Sequence, residues 1–187
     1  MAPPKLQQPE LTTQRLQLRA LRLEDAPAVK RLAGDFAIAD TTANVPHPYE
    51  DGMAEQWMAD RETALADGRG LTCAVVEAEG KELVGAIGLE VDWHNRVGEV
   101  GYWIGRPYWN RGYATEALKA MLNIAFDAVG LNRVQARHLV RNPASGRVMA
   151  KCGMTQEATM RAAFRKWGKF EDAAQYAVLL DQWKELS

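Results

Sequence analysis

The segment WNRGYATEAL, from Trp109 to Leu118, places a basic residue and a glycine directly before a run of good helix formers. The first amide groups of a helix have no partner within the helix, and together with the helix dipole they attract anions. Gly112 lets a ligand approach the backbone closely, and the small side chain of Ala114 leaves space for the ligand at the next turn. Arg111 adds positive charge and Thr115 offers a hydroxyl. This spacing predicts an anion site, most naturally for a phosphate, although an ordinary strand-to-helix turn could have the same residues.

Other motifs that bind nucleotides or metals are missing from the sequence. The turn is not the GxxxxGK[ST] loop that binds nucleoside triphosphates, and no GxGxxG dinucleotide motif occurs. Cys73 and Cys152 lie far apart without CxxC spacing, and the three histidines are scattered. This pattern does not indicate a metal site. It favours two reduced cysteines with a structural role in a cytoplasmic protein.

The anion turn lies inside a predicted strand–helix–strand unit. The segment VGEVGYWIG before it and the segment RVQARHLV after the helix both have the composition of strands. Gly130 is well placed to end the helix. Apolar residues recur along the helix at three- and four-residue spacing, namely Leu118, Met121, Leu122, Ala125, Phe126 and Val129. Such a unit requires parallel strands, and the turn then follows the carboxyl end of a strand, where open α/β sheets bind ligands.

The remaining segments predict a mixed α/β fold with helices on both faces of a sheet. The predicted order is a strand, two helices, three strands in an antiparallel meander, the crossover helix, a strand, a short helix and two strands. In the short helix, Asn142 is a good N-cap, Pro143 fits the first position and Gly153 follows the last turn. The last strand is expected from about Asp172 to Leu180, after a basic aromatic loop.

Length and composition favour one globular domain. The chain has 187 residues, of which 47% are hydrophobic, and this suits a single domain over residues 1–187 with a loose tail at 1–10. The formal net charge of −1 gives no basic excess for binding nucleic acid. The tail lacks the apolar core of a secretory signal, and no window reaches the length of a membrane span. We therefore expect a cytoplasmic protein without nucleic-acid or membrane partners.

The stretch GEVGYWIGRPYWNRGYATEAL resembles the acetyl-CoA-binding segment of the GNAT superfamily of N-acetyltransferases. That superfamily carries the pattern R/Q-x-x-G-x-G/A at the start of its crossover helix, and Gly112 and Ala114 match it. Trp109 occupies the first position, where an aromatic residue is typical of the RimJ/RimL branch that acetylates ribosomal proteins. Further segments resemble the family in the same order: LTTQRLQLRAL, PHPYED, RNPASGRVMAKCGM and GKFEDAAQYAVLLDQW. The resemblance implies the GNAT fold, a mostly antiparallel sheet of about seven strands with a splayed parallel pair.

The resemblance also implies that acetyl-CoA is the co-substrate and that no metal is used. The pantetheine arm is expected along Tyr102, Trp103 and Ile104, with a backbone amide near Ile104 binding the thioester oxygen. The second cofactor helix is expected to contribute Asn142 and Ser145, although an Asn before Pro–Ala–Ser also caps a helix for local reasons. The pyrophosphate is expected at the amides of Arg111, Gly112, Tyr113, Ala114 and Thr115.

The implied reaction is transfer of acetyl from the thioester to an amine, which must be neutral to attack. Glu99, on the strand leading to the cofactor, is the first candidate for the general base, and Glu90 and Asp92 are rivals. Many relatives protonate the leaving thiolate with a tyrosine at the position of Met149, which cannot donate. RimL-like enzymes have a serine one turn earlier, and Ser145 occupies that place as an acid or as a hydrogen-bond donor to the sulfur.

The acceptor is the least determined part of this interpretation. His47 and Tyr49 lie in a loop expected to border the acceptor pocket, where they either contact the substrate or pack the loop. The resemblance slightly favours a protein N-terminal amine over a small amine such as a polyamine, an amino sugar or an amino acid. A non-catalytic acyl-CoA-binding module and an unrelated nucleotide-binding protein are the alternatives. Homodimers are common in the family, and the sequence leaves the oligomeric state open.

Overall fold

The computed structural model describes residues 4–186, which form an eight-stranded sheet with six α-helices. The strands are β1 (Leu11–Thr12), β2 (Leu16–Ala20), β3 (Gly70–Glu77), β4 (Leu83–Asp92), β5 (Val97–Ile104), β6 (Arg133–Leu139), β7 (Thr155–Lys166) and β8 (Lys169–Leu179). The helices are α1 (Ala26–Ala33), α2 (Phe36–Thr41), α3 (Met53–Ala66), α4 (Tyr113–Asn123), α5 (Pro143–Lys151) and α6 (Leu180–Leu186).

The sheet has the strand order β1-β2-β3-β4-β5-β6-β8-β7. All neighbouring strands are antiparallel except β5 and β6, which form the parallel pair around the crossover helix α4. This confirms the predicted mixed, mostly antiparallel sheet. It has one strand more than expected, because the two-residue β1 pairs with β2 through Leu11 and Leu18 and is too short to show an alternating pattern.

Helices cover both faces of the sheet, as predicted. Helix α4 packs on β2, β4 and β5, and α5 lies beside it and contacts β6. Helices α1 and α3 pack on the opposite face against β4 and β3. Leu118, Met121 and Leu122 of α4 have no exposed surface, so the predicted apolar stripe of this helix forms the centre of the core.

The ends of α4 and α5 follow the local signals in the sequence. A π-helical turn at Ile124–Ala128 continues α4, and Gly130, with a φ of +78°, turns the chain toward β6. The amide of Leu131 then donates to the carbonyl of Ala125, a bond that satisfies the helix end. At the start of α5, the Asn142 carboxamide oxygen accepts from the amide of Ser145 (3.4 Å), so the predicted N-cap is confirmed.

The predictions were wrong in three connecting regions. Helices α2 and α6 were missed, because six or seven residues complete fewer than two turns and show little periodicity. The basic aromatic segment expected as a loop is the tip of the β7–β8 hairpin. There Trp167 (φ +51°) and Gly168 (φ +77°) form a two-residue turn between Lys166 and Lys169, the left-handed geometry that suits tight hairpins. The last strand therefore begins earlier than Asp172, at Lys169.

The amino-terminal segment from residue 4 to residue 10 has no regular secondary structure but contacts the sheet. The side chain of Gln8 donates to the carbonyl of Thr72 (3.2 Å) on β3. Residues 1–3 of the predicted loose tail lie outside the described residues. Within residues 4–186, no helix combines the length and the apolar character needed to cross a bilayer.

Candidate active site

Strands β5 and β6 separate soon after they meet. They pair only through Val97–Glu99 and Arg133–Gln135, although β5 continues to Ile104. The amide of Gly105 donates to Val84 on β4, so the alternation of the ladder directs the amides of Tyr102 and Ile104 away from β4 and into the gap. The strand predicted to contact the pantetheine arm therefore has an open backbone edge.

A cavity of about 980 Å³ occupies this gap. This volume lies within the usual range of small-molecule sites, about 300–1,000 Å³. The cavity joins the amino-terminal ends of α4 and α5 to the face of the sheet covered by α1 and α3. The predicted site residues that line it are Tyr49, Glu99, Tyr102, Trp103, Ile104, Gly112, Tyr113, Ala114, Thr115, Asn142 and Ser145.

The turn before α4 presents free amides to the cavity. Gly112 is the N-cap of α4, with φ +81° and ψ 2°, a conformation that strongly favours glycine. The amides of residues 113–115 belong to the first helical turn and have no partner within it. Among residues 4–186, no hydrogen-bond acceptor pairs with the amides of residues 111–115. The turn therefore has the unpaired donors that the sequence predicted.

The side chains of Arg111 and Tyr113 point away from these amides. The Tyr113 hydroxyl donates to Glu77 on β3 (2.5 Å), and the Arg111 guanidinium lies 3.8 Å from the same carboxylate. Arg111 also lies over the ring of Tyr108, 5.4 Å from its centroid, and is absent from the described cavity lining. A different arginine, Arg15 of the β1–β2 turn, donates to the Arg111 carbonyl (2.7 Å). No pattern in the sequence indicates a role for Arg15, because 96 residues separate it from Arg111.

Trp109 connects the end of β5 to the anion turn. Its indole Nε1 donates to the carbonyl of Ile104 (2.6 Å), the last residue of the strand. An arginine or glutamine at this position would have a more flexible side chain. The aromatic residue therefore fixes the turn against the strand with a rigid side chain.

The start of α5 contributes polar groups on the other side of the gap. The Asn142 side chain donates to the carbonyl of Thr41 (3.2 Å) while it caps the helix, so it links α5 to the end of α2. The Ser145 hydroxyl lies 2.9 Å from the hydroxyl of Tyr102. Burial raises the pKa of Tyr102 far above the ordinary tyrosine value. Met149 is buried in the core with 1% of its surface exposed, so this position has no proton donor.

The candidate bases differ in their surroundings. Glu99 accepts from Arg137 Nε (2.9 Å) and from Gln135 Nε2 (3.3 Å), and it lies at the point where β5 and β6 separate. Glu90 faces Glu99 across the β4–β5 ladder. It contacts Arg61 only at 3.5 Å, and 76% of its side chain is exposed. Asp92, the third candidate, is absent from the described cavity lining.

Asp92 instead stabilises the β4–β5 turn. It accepts from the side chain (2.7 Å) and from the backbone amide (3.1 Å) of Asn95, and these hydrogen bonds lower the pKa of its carboxyl. A carboxylate held in this way at a turn is remote from the gap. Glu99 and Glu90 are therefore the candidates that the fold brings to the cavity.

The two residues predicted for the acceptor side have different positions. Tyr49 lines the cavity, and burial raises the pKa of its hydroxyl. His47 packs edge-on against the stacked rings of Phe36 and Trp167, with ring centroids 5.2 and 6.5 Å away, and its Nδ1 lies 3.3 Å from the carbonyl of Gly34. His47 is absent from the described cavity lining, so it shapes the bordering loop by packing.

Several residues of the acceptor side could not be found from the sequence. Arg61 of α3 and Arg137 of β6 reach the cavity, and the Nε of Arg61 is buried without a hydrogen-bond partner in the described part of the chain. Gly101 lies between Glu99 and Trp103 on the same face of β5, and a Cβ at this glycine would meet no atom within 4 Å. These residues come from distant segments, so their spacing in sequence carries no pattern.

Cys73 and Cys152 are buried, and burial raises their pKa values to about 12 and about 11. The described residues contain no group of three or more His, Cys, Asp or Glu side chains suited to a metal ion.

Comparison with known proteins places these features in a family. Residues 15–155 match the model of the acetyltransferase (GNAT) domain. The uncharacterized N-acetyltransferase YoaA of Bacillus subtilis is 29% identical over 177 residues, covering 91% of this chain and 97% of that protein. The structure of RimL, a ribosomal L7/L12 alpha-N-protein acetyltransferase in complex with coenzyme A, has a TM-score of 0.83 at 18% identity, covering 91% of this chain and 97% of that chain.

A second solved structure has a different acceptor. Spermidine N-acetyltransferase from Vibrio cholerae, in complex with CoA and spermine, has a TM-score of 0.80 at 21% identity and covers 92% of this chain and 99% of that chain. At these identities the two solved structures show the fold alone. The domain match over residues 15–155 covers most of the chain. It excludes the alternative that this chain is an unrelated nucleotide-binding protein. The chain belongs to the GNAT acetyltransferase family and is an N-acetyltransferase.

Proposed function

We propose that this enzyme transfers acetyl from acetyl-CoA to the α-amine of a protein or peptide, as a member of the RimJ/RimL branch. The observation that supports acetyl-CoA as the acetyl donor is the open edge of β5 beside the unpaired amides before α4. These two features fit the two chemical parts of CoA, an amide-containing arm and a pyrophosphate. The two solved structures described above, each in complex with CoA, support the same donor.

The residues that would hold acetyl-CoA follow from this fit. The amides of Tyr102 and Ile104 would pair with the arm, and either one could donate to the thioester oxygen as it gains negative charge. The amides of residues 111–115 would hold the pyrophosphate. When bound, acetyl-CoA supplies a thioester at which a neutral amine forms a C–N bond while the C–S bond breaks with its electron pair kept by sulfur.

We propose Glu99 as the group that takes the proton from the acceptor amine. It lies where β5 and β6 part, so it is close to the end of the open edge. Its contact with Arg137 uses one carboxylate oxygen, Oε1, and leaves Oε2 with the longer contact from Gln135. Glu90 is the rival because its carboxylate is more exposed and less tightly paired.

The acceptor side combines groups that suit a peptide N-terminus. Glu90 and Glu99 place two carboxylates side by side, which favours an ammonium group between them. The buried Nε of Arg61, without a partner in the described residues, offers a hydrogen bond to a carbonyl oxygen. A peptide has both an α-amine and carbonyl groups, whereas a polyamine has only amines. This unpaired donor is our reason for placing a peptide before a polyamine.

A polyamine is the second candidate acceptor. Asp60, Glu90 and Glu99 all line the cavity and could bind a chain with several positive charges. Arg61 and Arg137 oppose this, because they contact two of the three carboxylates and would repel a polycation.

The test is an acceptor panel. The purified protein is incubated with acetyl-CoA and with peptides, polyamines, amino sugars or amino acids, and release of free thiol is followed. Each peptide is paired with the same peptide carrying a blocked N-terminus. We expect release that requires the free α-amine. Faster release with polyamines than with any peptide would overturn the peptide assignment, and acetyl-CoA binding without release on the whole panel would overturn the proposed reaction.

A further inference from the structure

The hydroxyls of Tyr102 and Ser145 form a direct contact across the gap. Tyr102 belongs to β5 and Ser145 to α5, and their oxygens are 2.9 Å apart. The Tyr102 hydroxyl also lies 3.3 Å from the backbone carbonyl of Ser145. Both residues line the cavity. The contact therefore connects the strand expected along the cofactor arm to the helix opposite it.

The direction of the hydrogen bond follows from the surroundings of Tyr102. Its phenol is largely desolvated and keeps its proton at any working pH, because burial raises its pKa. Within residues 4–186, the acceptors near this hydroxyl are the two oxygens of Ser145. Tyr102 therefore has one proton to donate to these two oxygens, and the Ser145 Oγ at 2.9 Å is closer than the Ser145 carbonyl at 3.3 Å.

Ser145 itself has little freedom. Its amide donates to the carbonyl (3.2 Å) and to the side-chain oxygen (3.4 Å) of Asn142, and Pro143 fixes the first position of the helix. The side chain can still rotate about its Cα–Cβ bond, which the contact with Tyr102 restrains, and the hydroxyl hydrogen can rotate about the C–O bond. When Tyr102 donates to the Ser145 oxygen, the Ser145 hydrogen cannot point toward Tyr102 and is left for a group in the cavity.

We propose that Tyr102 is a positioning residue that holds the Ser145 hydroxyl as a hydrogen-bond donor to the sulfur of acetyl-CoA. This inference rests on the proposed function. As the C–S bond breaks, its electron pair stays on sulfur and the Ser145 hydrogen bond stabilises the thiolate. The Ser145 proton stays on oxygen, so no further acid is required, and the thiolate is protonated later by solvent. This arrangement replaces the donor that the buried Met149 cannot provide.

The first experiment is a double-mutant cycle. Tyr102→Phe keeps the ring in place and should lower kcat about fivefold, the effect of one neutral hydrogen bond. Ser145→Ala should lower it about tenfold or more, because a hydrogen bond to a charged group is stronger. The double variant should be no slower than Ser145→Ala, since Tyr102 acts only through Ser145. Multiplication of the two losses would overturn the proposal, as would an unchanged kcat in Tyr102→Phe.

Tyr176→Phe is the matched control. Its hydroxyl also lies beside α5, 3.1 Å from the position of a Cβ added at Gly146, but it donates to Gln156 instead of Ser145. This variant should keep the wild-type kcat. A loss equal to that of Tyr102→Phe would show a general effect of removing a hydroxyl near α5, and would contradict the specific role. Thermal unfolding of all variants separates lost positioning from lost folding.

The second experiment does not depend on turnover. The thiol of bound CoA is titrated through the ultraviolet absorbance of its thiolate. A hydrogen bond from Ser145 should lower the pKa of this thiol, so the pKa should rise in Tyr102→Phe and in Ser145→Ala. Burial raises the pKa values of the Cys152 and Cys73 thiols to about 11 and about 12, and titration of the CoA-free protein gives the background of its own thiols and phenols. An equal pKa in wild type and variants would overturn the proposal even if acetyl transfer is confirmed. Absence of thiol release by wild type would instead contradict the proposed function.

Discussion

Replacement of Gly112 by alanine should weaken acetyl-CoA binding more than it weakens the fold. Gly112 has a φ of +81°, where an alanine is strained by about 1–2 kcal/mol. The added Cβ meets only the Arg15 guanidinium, at 3.2 Å, and this group must shift by a few tenths of an ångström against its hydrogen bonds to Glu116 and to the Arg111 carbonyl. Relief of the strain rotates the neighbouring peptide planes, which moves the amides of residues 112 and 113 away from the anion. Each lost hydrogen bond to a phosphate costs about 1.5–3 kcal/mol, or at least tenfold in Kd.

Gly52→Ala is the matched control for this change. Gly52 is also a helix N-cap, at the start of α3, with a φ of +82° and no atom within 4 Å of an added Cβ. Both variants should therefore lose about 1–2 kcal/mol of unfolding free energy, or about 2–8 °C in Tm. Calorimetric titration with CoA should show a higher Kd for Gly112→Ala alone. Equal affinity in the two variants would refute the assignment of the turn as the anion site.

Three further predictions concern the acceptor, the base and the fold. Gly101→Ala should raise the KM for the amine without changing Tm, because its Cβ points into open space between Glu99 and Trp103; an unchanged KM would contradict this. Glu99→Gln should reduce the rate most at low pH, where few acceptor amines with a pKa of about 7.7–8.0 are neutral, and a profile parallel to wild type would exclude Glu99 as base. For Asp25, burial raises the pKa of the carboxyl, but hydrogen bonds from Arg19 and from a backbone amide outweigh burial and lower it. Because the pKa is lower in the folded state, the ionised carboxyl stabilises the fold at pH values above the pKa of about 3.9 in the unfolded chain. Denaturant titrations should therefore show that Asp25→Asn costs about 2 kcal/mol of unfolding free energy at pH 7 and progressively less below about pH 4.

Features encoded by adjacent residues were predicted correctly. The glycine before α4 and the Asn–Pro start of α5 act through their own backbone and their near neighbours. The helix α4 shows its buried face through spacing alone, with Leu118 and Leu122 in the core. These signals are local, so a single sequence contains them fully. The short helices and the β7–β8 hairpin have too few residues to show such a pattern.

The hydrogen-bond partners and the orientations of the side chains could be seen only in the folded structure. Nothing near Arg111 in the sequence indicates that its guanidinium turns to Glu77 while Arg15 reaches its carbonyl. His47 was predicted either to contact the substrate or to pack the loop, and it lies edge-on against two stacked aromatic rings that come from α2 and from the β7–β8 turn.

The sequence alone predicted the donor side proposed for this enzyme, because the proposed phosphate turn, the strand before it and the helix caps are continuous segments. The tertiary structure decided where β5 and β6 part, which carboxylates reach the cavity, and that Tyr102 meets Ser145. These contacts join residues tens of positions apart, such as the 43 between Tyr102 and Ser145. These contacts depend on the register of the strands, because a shift of one residue would move each side chain of a strand to the other face of the sheet.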